Sequence, residues 1–327
     1  MNRVLRLASP RPARAILLLA DLAARAALAV PAALAVLTVL TVLTVLTVVA
    51  LPAAADGPTP PPPATRGHLV LIGGGEKPAD AMRKFIELAG GTDAPIVMIP
   101  TASTDDDAAV FYEKLFRETW GCKNAISLDI RKRADAYRPD HVAAASKARG
   151  IWFGGGDQVL ITNALLGTPV GDAIAASYAR GAVVGGTSAG TACQSRKMIT
   201  GEGDFTVIRS GVVEVKEGLG FIPGVVVDQH FVARKRLNRL LSVILENPDH
   251  LGVGVDEDTA AWVRPDGTMQ VLGKSCVVIV DPAGADVTVR PSGMGQDALG
   301  VHGMRLHVLL PGELFDLPSR KVLPATR

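Results

Sequence analysis

Short apolar runs, several closed by glycines, recur along this chain with room for a helix between most of them. Leu69-Val70-Leu71-Ile72 ends in Gly73-Gly74-Gly75, Ile151-Trp152-Phe153 in Gly154-Gly155-Gly156, and Ala182-Val183-Val184 in Gly185-Gly186. Further strands are predicted at 94–99, 125–130 and 224–227, and helices at 79–89, 107–119, 141–148, 158–166 and 170–180. Such alternation implies parallel strands joined by crossover helices. Strands that are apolar on both faces imply a sheet covered on both sides. After about Leu251 the pattern changes to short strands at 253–255, 260–263, 269–272 and 277–280, with Arg264-Pro265-Asp266-Gly267 as a turn. The expected fold class is α/β, a mostly parallel sheet with helices on both faces. The C-terminal strands are expected to be antiparallel, extending that sheet or layered beside it.

The first 66 residues read differently. Arg3, Arg6, Arg11 and Arg14 precede a long apolar, low-complexity stretch that closes on Leu51-Pro52-Ala53-Ala54-Ala55. A basic start, an apolar centre and small residues of the A-x-A type are the marks of an export signal. Residues 29–50 are also long enough to span a membrane if not removed. We therefore expect a signal peptide or anchor over 1–55, a Pro-rich linker over 56–66 and the functional domain over 67–327, β-rich from about 260. The protein is expected to be exported, periplasmic or secreted. A formal net charge of +2, with no long basic run, argues against a nucleic-acid partner. Three scattered cysteines form no metal or disulfide framework and read as small buried hydrophobes.

Gly186-Thr187-Ser188-Ala189-Gly190 fits G-x-S-x-G, a turn that lifts a serine out of an α/β sheet. The expected helix over 189–197 would aim its first amides at an oxyanion formed there. A serine nucleophile needs a base and a group to orient that base. Of the six histidines, His230 alone leaves an apolar strand at its carboxyl end. Glu257, Asp256, Asp258 and Asp228 are all candidates for the orienting acid. Gly155 and Gly156 are candidate oxyanion donors beside Ala189. Arg234, Lys235, Arg236 and Arg239 crowd the residues after His230 and suit a substrate with carboxylates. Asp228 is a candidate acceptor for a guanidinium. A cysteine nucleophile at Cys193 is disfavoured, because it lies five residues past the elbow.

These blocks, in this order, resemble the cyanophycinases and their relatives in peptidase family S51, which also holds aspartyl dipeptidases. The carriers are Gly73-Gly74-Gly75-Glu76, Phe153-Gly154-Gly155-Gly156-Asp157-Gln158, Gly185 to Gly190, Asp228-Gln229-His230-Phe231 and Gly252 to Ala260. The resemblance implies a fold like that of class I glutamine amidotransferases. It implies Ser188 as nucleophile, His230 as base and Glu257 as orienting acid, with Gln158, Asp228, Arg234, Arg236 and Arg239 in the substrate pocket. It implies a serine-type exopeptidase that hydrolyses multi-L-arginyl-poly-L-aspartate to β-aspartyl-arginine dipeptides, with attack expected at a β-aspartyl amide carbonyl. No metal or cofactor and a homodimer are implied. The alternatives are an aspartyl or isoaspartyl dipeptidase of the same family and a non-catalytic exported peptide-binding protein.

Overall fold

A computed structural model describes residues 67–293 and 295–324, so the expectations for the leader and linker lie outside the described residues. Five parallel strands form the centre: β1 (Leu69–Ile72), β2 (Ile96–Ile99), β3 (Ala125–Ser127), β4 (Gly150–Phe153) and β5 (Val183–Thr187). Their spatial order is β1-β5-β4-β2-β3. Helices α1 (Ala79–Ala89), α2 (Ala108–Lys114), α3 (Pro139–Lys147), α4 (Gln158–Leu165) and α5 (Pro169–Ala179) connect them. Alternate residues of each strand enter different cores. Val70, Ile72, Met98 and Trp152 pack with Met82 and Phe85 of α1, whereas Leu69, Leu71, Ile99 and Phe153 pack with Ile161, Leu165 and Ile174 of α4 and α5. Trp152 is wholly buried between Phe85 and Phe116, edge-on at 5.2 and 5.6 Å, pairs worth about 0.5–1.5 kcal/mol each beyond their burial. Thr168 caps α5 by accepting from the Gly171 N–H, and Pro169 fills the first helical position, where a missing N–H costs nothing.

The C-terminal strands take both of the arrangements expected. β10 (Thr259–Val263), β11 (Thr268–Gly273), β16 (Leu314–Asp316) and β17 (Lys321–Leu323) extend the main sheet antiparallel from β1. A second, four-stranded sheet runs β15-β12-β9-β8, from β8 (Val225–Gln229), β9 (Leu251–Val255), β12 (Val277–Asp281) and β15 (Arg305–Leu309), while β13 (Asp286–Arg290) and β14 (Ala298–His302) pair as a separate antiparallel hairpin. The helix α7 (Leu237–Glu246) covers the four-stranded sheet through Leu240, Val243 and Ile244. The strand that precedes His230 therefore lies in a different sheet from the strand that delivers Ser188. β8 and β9 pair parallel, so the antiparallel expectation fails for that pair, and α7 is the crossover between them.

Two local expectations are corrected. The helix after Ser188, α6, is a single turn (Ala189–Ala192), and by Lys197 the chain is already in β6 (Lys197–Gly203), paired with β7 (Val213–Glu217). The Ser195 hydroxyl accepts from the Val227 N–H at 2.8 Å, drawing the chain to β8 instead of prolonging the helix. The helix expected over 107–119 is α only to Lys114 and finishes as a π turn over Leu115–Thr119. Among the cysteines, Cys122 and Cys193 are buried as expected, while Cys276 is half-buried beside Ser275.

Candidate active site

Ser188 follows β5 with φ 52° and ψ −114°, a backbone state that L-residues enter only when the surroundings enforce it. Crowding explains the flanking glycines. A Cβ on Gly186 would lie 2.2 Å from the Gly190 carbonyl oxygen, and one on Gly190 would lie 2.2 Å from that of Phe153. The Ser188 N–H donates to the Ile72 carbonyl at 3.0 Å, which anchors the elbow to β1. Cys193 is fully buried behind this turn and its thiol is pushed far up by desolvation, so it cannot supply a thiolate.

His230 follows β8 with φ 49°, and its N–H donates to the Gly73 carbonyl at 2.7 Å. Its ring occupies the space a side chain at Gly74 would need, because a Cβ there would lie 2.1 Å from ring Cε1. Ring Nε2 is 2.9 Å from Ser188 Oγ, and ring Nδ1 is 2.5 Å from Glu257 Oε1. A carboxylate on Nδ1 assigns the proton to that nitrogen and leaves Nε2 free to accept the hydroxyl proton. Glu257 lies in the turn that carries the chain from β9 on the second sheet to β10 on the main one. The other candidate acids are committed elsewhere. Asp256 accepts from the Val232 and Ala233 N–H groups and from Ser275, and Asp258 accepts from the Glu76 N–H. Three other histidines have local contacts instead: His68 with Trp262, His141 with the Asp135 carbonyl and His250 with Asp249.

Burial holds the His230 imidazolium below the ordinary 6.5; hydrogen bonding to Glu257 opposes this, and the Arg234 cation adds to it. A lowered value keeps the base neutral further into acid. The acid limb of kcat/KM is expected to have its midpoint below pH 6.5, and Arg234→Ala should move it upward by removing a cation that disfavours imidazolium. pH–rate profiles of the two proteins check both signs, and a wild-type midpoint above 6.5 contradicts the first.

Gly155 lies beside Ser188, but its N–H donates to the Tyr112 hydroxyl at 3.1 Å. That amide is therefore not an open oxyanion donor as expected. The amides of Ala189 and Gly156 donate to no group among the described residues. Tyr112, unremarked in the sequence, both props this loop and limits it, since a Cβ on Gly154 would lie 2.9 Å from its ring.

The arginine run divides into different roles. Arg239 is buried and grips buried Asp228 through Nε at 2.7 Å and through a second, shorter bond from Nη2. Breaking such a pair costs about 3–5 kcal/mol, so Asp228 is committed to Arg239, while Arg239 itself still lines the smaller of the clefts beside Ser188; Asp228 does not touch the histidine ring. Arg236 donates to the carbonyl and to Oε1 of Gln229, and burial lowers its guanidinium to about 10. Gln229 Oε1 is in turn 3.5 Å from Ser188 Oγ. Arg234 is exposed and has no ion-pair partner among the described residues. Gln158 is buried, its amide nitrogen donating to the Ile199 carbonyl, which ties α4 to β6.

Ser188 stands between two clefts. One, of about 410 Å³, is lined by Gln158, Gln229, Arg234, Arg236 and, from the β6–β7 hairpin, Glu202 and Glu214. The other, of about 430 Å³, is lined by His230, Tyr112, Lys77, Phe111, Asp105 and Asp107. Neither the hairpin acids nor Asp105 and Asp107 belong to a sequence motif that marks them as functional.

Residues 69–271 match the model of peptidase family S51. A cyanophycinase from Nostoc sp. is 39% identical over 271 residues, covering 81% of this chain and 90% of the relative. A cyanophycinase from Synechococcus elongatus is 37% identical over 262 residues, covering 79% and 81%. The crystal structure of a peptidase from an acI-B1 Actinobacterium superposes with a TM-score of 0.59 at 25% identity, over 77% of this chain and 98% of that one.

Proposed function

The chain belongs to peptidase family S51, and from that premise we propose that it hydrolyses cyanophycin to β-aspartyl-arginine dipeptides through an acyl-enzyme on Ser188. The observation that carries the reading is the unbroken line from Ser188 Oγ through both ring nitrogens of His230 to Glu257, at 2.9 and 2.5 Å. His230 takes the hydroxyl proton as Oγ attacks the carbonyl. The N–H groups of Ala189 and Gly156 receive the oxyanion. The imidazolium, steadied by Glu257, then protonates the leaving amine. Water, deprotonated by the same ring, opens the ester and returns Ser188.

The product fixes which bond is cut. A β-aspartyl-arginine dipeptide keeps its β-amide, so the scissile bond is the main-chain amide between successive aspartates, not the β-aspartyl amide expected from the sequence. Arg234 and Arg236 supply cations for carboxylates in the smaller cleft. Glu202, with no side-chain partner among the described residues, takes over from Asp228 as the acceptor for an arginine guanidinium. Glu214 is less free, because Thr200 and Lys216 already hold it.

Incubating the protein from residue 67 onward with cyanophycin, with products identified by mass spectrometry, tests the reading. β-Aspartyl-arginine is expected. Turnover of α-aspartyl dipeptides with none of the polymer would instead identify an aspartyl dipeptidase. We also propose export through the basic and apolar leader and assembly as a homodimer. Sequencing the amino terminus of protein recovered outside the cytoplasm, and light scattering, test these two points.

A further inference from the structure

The two clefts beside Ser188 are not equivalent, and the asymmetry of acyl transfer says which fragment each receives. The amine that departs must take its proton from His230. His230 lines the larger cleft and is not among the residues lining the smaller one. The leaving fragment therefore lies in the larger cleft, and the acyl part of the polymer runs into the smaller, arginine-lined one. At about 430 Å³, the larger cleft falls within the roughly 300–1,000 Å³ typical of small-ligand pockets.

On the reading given above, the leaving fragment is a dipeptide with two carboxylates and one guanidinium. The cleft has groups of matching charge. Lys77 is half-buried, stands 6.0 Å from the centre of the Phe111 ring, and has no ion-pair partner among the described residues. Burial lowers its ammonium below the ordinary lysine value, against the opposing charge of the neighbouring Glu76, as expected for a cation held partly out of water. Its loop is fixed to the catalytic turn. The Gly74 carbonyl accepts from the Asp258 N–H at 3.0 Å, and the Glu76 N–H donates to Asp258 Oδ1 at 2.7 Å. The backbone that carries Lys77 thus keeps a set position relative to the turn that holds Glu257. Across the cleft, Asp105 and Asp107 supply anions, and Phe111 offers a half-exposed ring on which a guanidinium can stack.

We propose that the larger cleft is the subsite for the leaving dipeptide and that Lys77 binds its terminal main-chain carboxylate, so that cutting is confined to the carboxyl end of the polymer. An internal bond presents an amide at that point instead of a carboxylate. It leaves the Lys77 cation uncompensated and sends further chain into the cleft.

The test uses a synthetic oligomer of two β-aspartyl-arginine units, once with a free main-chain carboxyl terminus and once as its carboxamide. Wild-type protein is expected to cleave the free acid at least about tenfold more efficiently in kcat/KM. Lys77→Met should lower kcat/KM for the free acid about tenfold, mainly through KM, and leave the carboxamide unchanged. Lys77→Arg should keep most of the preference. Equal losses on both substrates in Lys77→Met, or a wild type indifferent to the terminus, overturn the assignment while leaving the substrate reading intact. No cleavage of either oligomer or of cyanophycin overturns the substrate reading, and the subsite with it.

Discussion

Ser188→Ala is expected to lower kcat on cyanophycin by a factor on the order of 10⁶, and His230→Ala by a similar factor. The double variant should be no worse than either single one. The reason is geometric. Oγ is a useful nucleophile only while Nε2, 2.9 Å away, can accept its proton, so removing either atom removes the same step. A residual rate above water, on the order of 10³–10⁴-fold, should survive from the oxyanion amides and the binding clefts. The fold should tolerate Ser188→Ala, because Ala adds no volume and the hydroxyl's partners are His230 and the distant Gln229 Oε1. Full activity in Ser188→Ala, measured by dipeptide release on protein with unchanged thermal unfolding, would exclude the acyl-enzyme altogether. A double variant far slower than both singles would mean that the two residues act in separate steps.

Much of this arrangement is written locally in the chain, and what is not has identifiable physical causes. β1 and β4 are legible because each is apolar on both faces and runs into a triple-glycine turn, where a Cβ on Gly74 would lie 2.1 Å from the His230 ring and one on Gly156 2.0 Å from the Ala102 carbonyl oxygen. Ser188 and His230 are legible for the same reason, since both leave a buried strand abruptly. The choice among Asp256, Glu257 and Asp258 is not. Three consecutive carboxylates in one turn face three directions, and only the folded turn reveals that the first holds the Val232 and Ala233 amides, the second the ring and the third the Glu76 amide. The β6–β7 hairpin escaped because its strands bury little; Thr200-Gly201-Glu202-Gly203 has no apolar alternation to mark it. The placement of Arg239 did leave a signal. It lies four residues before Val243 and beside Leu240 on the helix face turned to the second sheet, so helical spacing marks it as the inward member of the arginine run. The assignment of β8 and β9 to a second sheet left none, because the parallel crossover through α7 has the same pattern as those of the main sheet.

Glu257→Gln is the second large effect, and it separates orientation of the ring from electrostatic support. The glutamine amide fits the same space but can meet Nδ1 with either end. If its nitrogen donates, the ring proton moves to Nε2 and the base can no longer accept from Ser188. If its oxygen accepts, the tautomer survives, but the imidazolium loses its counter-charge. Either outcome lowers kcat, and a buried carboxylate in this role is worth about 10⁴-fold. Glu257 is 38% exposed at its side chain against 8% for His230, so water can partly replace it, and a loss of about 10³-fold is expected instead. The sign of the accompanying pH shift is fixed. Glu257 raises the His230 value against desolvation, so its neutralisation lowers that value further and moves the acid limb of kcat/KM to lower pH, opposite to Arg234→Ala. Stopped-flow acylation and a pH–rate profile of Glu257→Gln read both quantities. A loss below about tenfold, or an acid limb displaced upward, would mean that the 2.5 Å contact to Nδ1 neither sets the tautomer nor supports the cation, and that another group orients the ring.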